Sequence, residues 1–143
     1  MEYTSNPPKF GGYRLAVYQW EHEEAFPEFR KVKFEKERAM FYIKKLARHF
    51  KTSCPTLSEV RKRNGGHYQP SMFYPRIALP KNPSLGLICH EYAHHLDHVR
   101  NPNAKQWHGK SFRCELKKVY TFAKRYLPKE KLPTPVESNL QAV

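Results

Sequence analysis

The feature that most constrains this chain is His90-Glu91-Tyr92-Ala93-His94, which spells H-E-x-x-H. Positions four apart lie on one face of a helix, so the two histidines point the same way and the Glu sits beside them. Two imidazoles at that spacing can grip one Zn²⁺, and a neighbouring carboxylate can serve as general base on an activated water. The surroundings read as a helix. Asn82-Pro83-Ser84 gives Asn82 as N-cap with Pro83 at the first helical position. Leu85, Leu87, Ile88 and Cys89 supply an apolar run, and Asn101-Pro102 ends the helix after about Val99.

The chain holds 8 His, which makes a chance match less rare. Packing His and Glu together in a core without a metal would, however, carry a large desolvation cost. A catalytic zinc site needs a third protein ligand and an open position. The sixth residue after His94 is Arg100, which excludes the protease class that places its third His there. His98 continues the series but lies eight residues from His90, about 12 Å along a straight helix. His95 faces elsewhere. His108 and Glu115 remain, and His108 is favoured because Gly109 lets the backbone turn tightly after it.

His90, Glu91, His94, His108, Gly109 and Phe112 together spell H-E-x-x-H followed by H-G-x-x-F. This pattern resembles the SprT-like zinc metallopeptidases, an animal member of which cleaves proteins crosslinked to DNA. The resemblance covers about Leu79 to Leu116, and Phe34 to Tyr126 in outline. It implies zinc bound by His90, His94 and His108, Glu91 as catalytic base, and structural roles for Gly109 and Phe112. It also implies a zincin-like α+β domain: a small antiparallel or mixed sheet, a metal-binding active-site helix and packing helices. Many relatives carry a Cys-rich zinc ribbon after the protease domain, whereas the residues after Phe112 hold only Cys114. Weak, non-specific DNA binding is therefore expected rather than tight engagement.

The rest of the chain is read in order. Residues 1–33 are expected to form a partly extended N-terminal extension, 34–127 the metallopeptidase domain and 128–143 a flexible tail. Asn6-Pro7-Pro8 and Gly11-Gly12 mark loop. Tyr13 to Trp20 is aromatic and β-branched enough for a strand, and His22, Glu23 and Glu24 read as a solvated turn. Phe34 to Phe50 reads as a helix whose apolar face is Phe34, Phe41, Ile43, Leu46, Ala47 and Phe50, with His49 complementing its dipole. Thr52 to Pro80 is the β region. Pro55 to Arg63 could form a strand, Asn64-Gly65-Gly66 is a turn, and His67-Tyr68-Gln69 and Arg76 to Leu79 are short strands. A zincin-type protease lays its substrate along a sheet edge, and Ile77-Ala78-Leu79 is the best candidate for that strand. His67 is a possible extra ligand, more simply a surface residue.

Gly109 to Leu127 is the last helix, with Phe112, Leu116, Val119 and Ala123 inward. Lys110, Arg113, Lys117 and Lys124 form a basic face, with Tyr120 among them. That face is a candidate phosphate-contacting stripe, or an ordinary solvated surface. The net charge of +13 favours a polyanionic partner, or serves solubility. Asp97, the chain's sole Asp, can orient a ligating His or, more simply, pair with Arg100.

Cys54, Cys89 and Cys114 are odd in number and lack C-x-x-C spacing, which fits a reducing compartment; Cys89 reads as core. There is no apolar run of membrane-spanning length and no charged-then-apolar leader. The expectation is a monomeric, cytoplasmic or nucleoid-associated protein, not secreted, acting on a protein or peptide substrate. Two other function classes remain open. One is a general zinc peptidase without a DNA role, and the other a catalytically silent, zinc-containing nucleic-acid-binding protein.

Overall fold

A computed structural model describes residues 17–21, 36–60, 66–70, 75–103 and 108–126. The expectations for residues 1–16, Phe34, His22 to Glu24, Arg61 to Gly65 and the 128–143 tail lie outside them. The described chain is α+β. Helical residues 17–21 (α1) precede α2 (Lys36–Phe50), α3 (Leu85–Arg100) and α4 (Lys110–Tyr126), and β1 (Thr56–Glu59), β2 (His67–Gln69) and β3 (Arg76–Leu79) lie between α2 and α3.

Helix α3 is the axis of the molecule, touching α2, α4, β2 and β3. It accordingly buries nearly every side of itself from Leu85 to Asp97. Its N-cap is Ser84 rather than Asn82: the Ser84 hydroxyl accepts from the Leu87 amide at 3.1 Å, and Pro83 precedes the cap. Asn101 caps the other end, so the helix runs one residue past Val99.

In α2, Tyr42, Ile43, Leu46 and Ala47 face the core as helical spacing requires. Phe41 departs from the expected apolar face. It is 41% exposed, with Arg38 and Lys45 over its ring at 5.8 and 5.2 Å. One helical step separates it from Tyr42, which takes the buried position instead. The helix ends on Lys51 at φ 58°, with the Thr52 amide donating to Ala47 O at 3.0 Å, a Schellman-type stop.

The sheet order is β1-β3-β2, with β1 parallel and β2 antiparallel to β3. The central β3 is therefore paired on both sides at Ile77 and Ala78, with Leu79 paired to β1, so the stretch is not the edge strand expected to take an added strand. Its inward burial over three successive residues is what a central strand covered on both faces shows. In the Pro55 to Arg63 stretch, strand pairing covers only Thr56 to Glu59 among the described residues.

Residues 17–21 are helical, contrary to the strand expected over Tyr13 to Trp20. Val17 and Trp20, three apart, both enter the same core cluster as α2, α3 and α4, a spacing a strand would send to opposite faces. In α4, Phe112, Leu116, Val119 and Ala123 are all fully buried, as expected. No helix among the described residues is long and apolar enough to cross a membrane.

Candidate metal centre

Successive turns of α3 present His90 and His94 on the face turned toward the start of α4, where His108 sits two residues ahead of that helix. One ring nitrogen from each of the three lies within 4.8 Å of the others. His90 and His94 are buried and His108 half-buried. The three histidines singled out in the sequence thus come together, close enough to hold a metal ion.

Phe112 is the apolar floor of the cluster. Its ring stacks on His94 at 4.1 Å between centroids and meets His90 and His108 edge-on at 5.3 and 5.0 Å. Helical spacing explains this: Phe112 lies one turn after His108, and Gly109, itself buried, admits the chain between them. Tyr18, 41% exposed, lies across the other side of His90, stacked at 5.6 Å.

Three imidazoles are a donor set that suits transition metals, zinc among them. Two ligand nitrogens at the usual zinc distance and a tetrahedral angle lie roughly 3.3 Å apart. His90 Nε2 and His108 Nε2 are 3.3 Å apart. Burial, with His90 and His108 beside it, pushes the His94 pKa down to about 2, so its imidazole is the neutral form that ligates. Burial pulls His90 downward too. The charge of Glu21, its hydrogen bond and the charge of Glu91 outweigh that and raise its pKa above the ordinary value.

Glu91 is 4% exposed. Burial raises its pKa to about 7; His90 pulls it back and Glu21 adds to the rise. The wall beside it is Gly66, where a Cβ would stand 3.5 Å from Glu91 Cγ and 2.7 Å from the carbonyl oxygen of Ala78. A side chain at position 66 would collide with β3, so the turn residue next to β2 has to be Gly for the sheet to approach the site.

No local sequence signal marks Glu21 as part of the site. Both its carboxylate oxygens lie 3.0 Å from His90 Nδ1, and Tyr120 Oη lies 2.8 Å from Oε2 and 3.1 Å from the Gly86 carbonyl. A helical reading of 17–21 would have put Tyr18 and Glu21 on one face, three residues apart; the strand reading separated them.

Other candidates fall away from the centre. Glu115, the rival third ligand, is buried against Arg100 at 3.2 Å and Lys118 at 3.3 Å. Arg100 therefore does not pair with Asp97, whose carboxylate instead accepts from Asn101 Nδ2 at 2.9 Å and bonds Ser111. Burial raises the Asp97 pKa against those two bonds. His95 faces away, between Tyr68 Oη and Ser53 O at 2.8 Å each, and neither His67 nor His98 belongs to the cluster. Of the basic stripe, Lys110, Lys117 and Lys124 are exposed, but Arg113 is 3% exposed and Tyr120 is equally buried. Arg113 lies on the side of α4 that rotates inward, so the exposed row consists of lysines.

No family model, no curated protein and no solved structure matches the chain.

Proposed function

We propose that the chain is a zinc-dependent metallopeptidase of the SprT-like kind, with a zincin-like arrangement of sheet, active-site helix and third ligand. The observation that carries this is the convergence of His90, His94 and His108 within 4.8 Å, with the buried Glu91 on the same helix as two of them. Three imidazoles leave one tetrahedral position open, the pattern of catalytic rather than structural zinc sites. Among the described residues no Cys or fourth His joins the group, which argues against a silent, closed zinc module.

His90, His94 and His108 would hold the ion, which supplies Lewis-acid activation of water and of a peptide carbonyl. Glu91 takes a proton from the attacking water as its oxygen bonds to the carbonyl carbon. It then delivers that proton to the amine nitrogen as the C–N bond breaks. Its burial keeps bulk water from competing for the proton. Tyr18, the exposed ring stacked on His90, would meet the substrate chain. DNA-associated proteins are the substrate class suggested by the net charge of +13 and by the exposed lysines of α4.

The test is metal analysis of purified protein alongside peptide hydrolysis. One Zn²⁺ per chain is expected, lost in His90→Ala or His94→Ala. Glu91→Gln should keep zinc and fold while turnover drops at least 100-fold, at the low end of what proton transfer contributes. Absence of stoichiometric metal after zinc loading, or equal turnover in Glu91→Gln, would refute the assignment.

A further inference from the structure

Glu21 reaches the histidine cluster from 69 positions away in the sequence. Its carboxylate is 11% exposed, and its two oxygens are equidistant at 3.0 Å from His90 Nδ1. Two contacts fix it there. Val17 and Trp20 anchor α1 in the core, and Tyr120 donates its hydroxyl proton toward Oε2 while the Trp20 indole meets the Tyr120 ring edge-on at 5.6 Å.

A carboxylate can only accept a hydrogen bond. Nδ1 of His90 then carries a proton, and in the neutral ring that ligates a metal the lone pair falls on Nε2, the nitrogen that faces His108. A ligating imidazole needs that tautomer, and a carboxylate on its far nitrogen makes it a better electron donor. Resting on the zinc reading above, we propose that Glu21, held by Tyr120, is a positioning residue for the metal centre: it fixes His90 as the Nδ1–H tautomer and lends its charge to that ligand. The metal site is thereby completed by the N-terminal segment and by the third turn of α4, not by the two motif stretches alone.

The full chain tests this, with zinc affinity measured by chelator competition and the His90 tautomer read from the imidazole ¹⁵N shifts. Glu21→Ala is expected to weaken zinc binding by roughly 10–100-fold and to release His90 from the single tautomer. In Glu21→Gln the amide oxygen still accepts from Nδ1–H but has no charge, so the tautomer should persist with an intermediate affinity. Tyr120→Phe should cost less than Glu21→Ala and add nothing to it in the double variant, because its effect passes through Glu21. A purely structural tie between α1 and α3 would lower the apo melting temperature without moving zinc affinity or the tautomer, and that result would overturn the proposal. Should Glu21→Ala fail to fold, equal affinity in the parent, Glu21→Gln and Tyr120→Phe would overturn it instead. A parent chain that takes up no stoichiometric zinc would overturn the metal reading and this proposal together, a different outcome from zinc uptake indifferent to residue 21.

Discussion

At the scale of single residues, the site depends on one absent side chain as much as on those present. A Cβ at position 66 would stand 2.7 Å from the Ala78 carbonyl oxygen, closer than real Cβ contacts come, and backbone cannot swing aside as a side-chain tip can. Gly66→Ala should therefore push β2 away from β3 and disturb the wall beside Glu91, costing about 1–3 kcal/mol as overpacking does. Urea unfolding checks it: a lower midpoint with an unchanged slope is expected, and an unchanged midpoint would show that the ladder yields freely. The residue scale also divides what could be read in advance. His90, Glu91 and His94 were legible because helix geometry links neighbours in sequence, and His108 because Gly109 follows it and its stretch resembles a known family's second motif. Glu21 and Gly66 were illegible because their partners lie far away along the chain, and no local period records a contact across the fold.

At the scale of elements, helix bounds follow from sequence to within a residue or two where apolar spacing is clear, as in α3 and α4. Two departures are shifts between nearby residues that could fill one position. Tyr42, not Phe41, took the buried place in α2, and Ser84, not Asn82, took the cap, since its hydroxyl reaches the Leu87 amide. Sheet order was beyond reach because three short strands carry no signal of who pairs with whom; only the pairing shows β3 to be central. One element end invites improvement. Lys51 holds φ 58° at the C-terminus of α2, a left-handed conformation that costs a residue with a Cβ about 1–2 kcal/mol. Glycine is free of that strain but loses about 0.5–1 kcal/mol more chain entropy on folding. Lys51→Gly should therefore stabilise the protein by up to about 1 kcal/mol and raise Tm by a few degrees. A lower Tm would mean that the Lys51 side chain contributes more than its backbone strain costs.

At the scale of the whole molecule, the question is what a net charge of +13 is for. Composition signalled the excess of cations but not their placement, and burial of Arg113 removes one member of the expected stripe. Lys110, Lys117 and Lys124 remain exposed on α4, each about 10.5 Å further along the helix at seven residues per step. The row begins two residues after His108, so a polyanion lying along it would end beside the proposed metal centre. If the row contacts about three phosphates, the logarithm of DNA affinity should fall against the logarithm of salt with a slope of roughly −2 to −3, at −0.7 to −0.9 per phosphate. Reversing the charge of Lys117 and Lys124 removes two such contacts and should flatten the slope by roughly 1.4 to 1.8. Zinc content should be unchanged, because neither residue touches the histidine cluster. The measurement is binding of single- and double-stranded DNA across a salt series for the parent and the double variant, with proteolysis of a DNA-bound protein followed in parallel. Equal slopes in parent and variant would assign the charge to solubility. Cleavage indifferent to DNA would leave a general zinc peptidase, whose substrate is chosen at the histidine cluster and not by the lysine row.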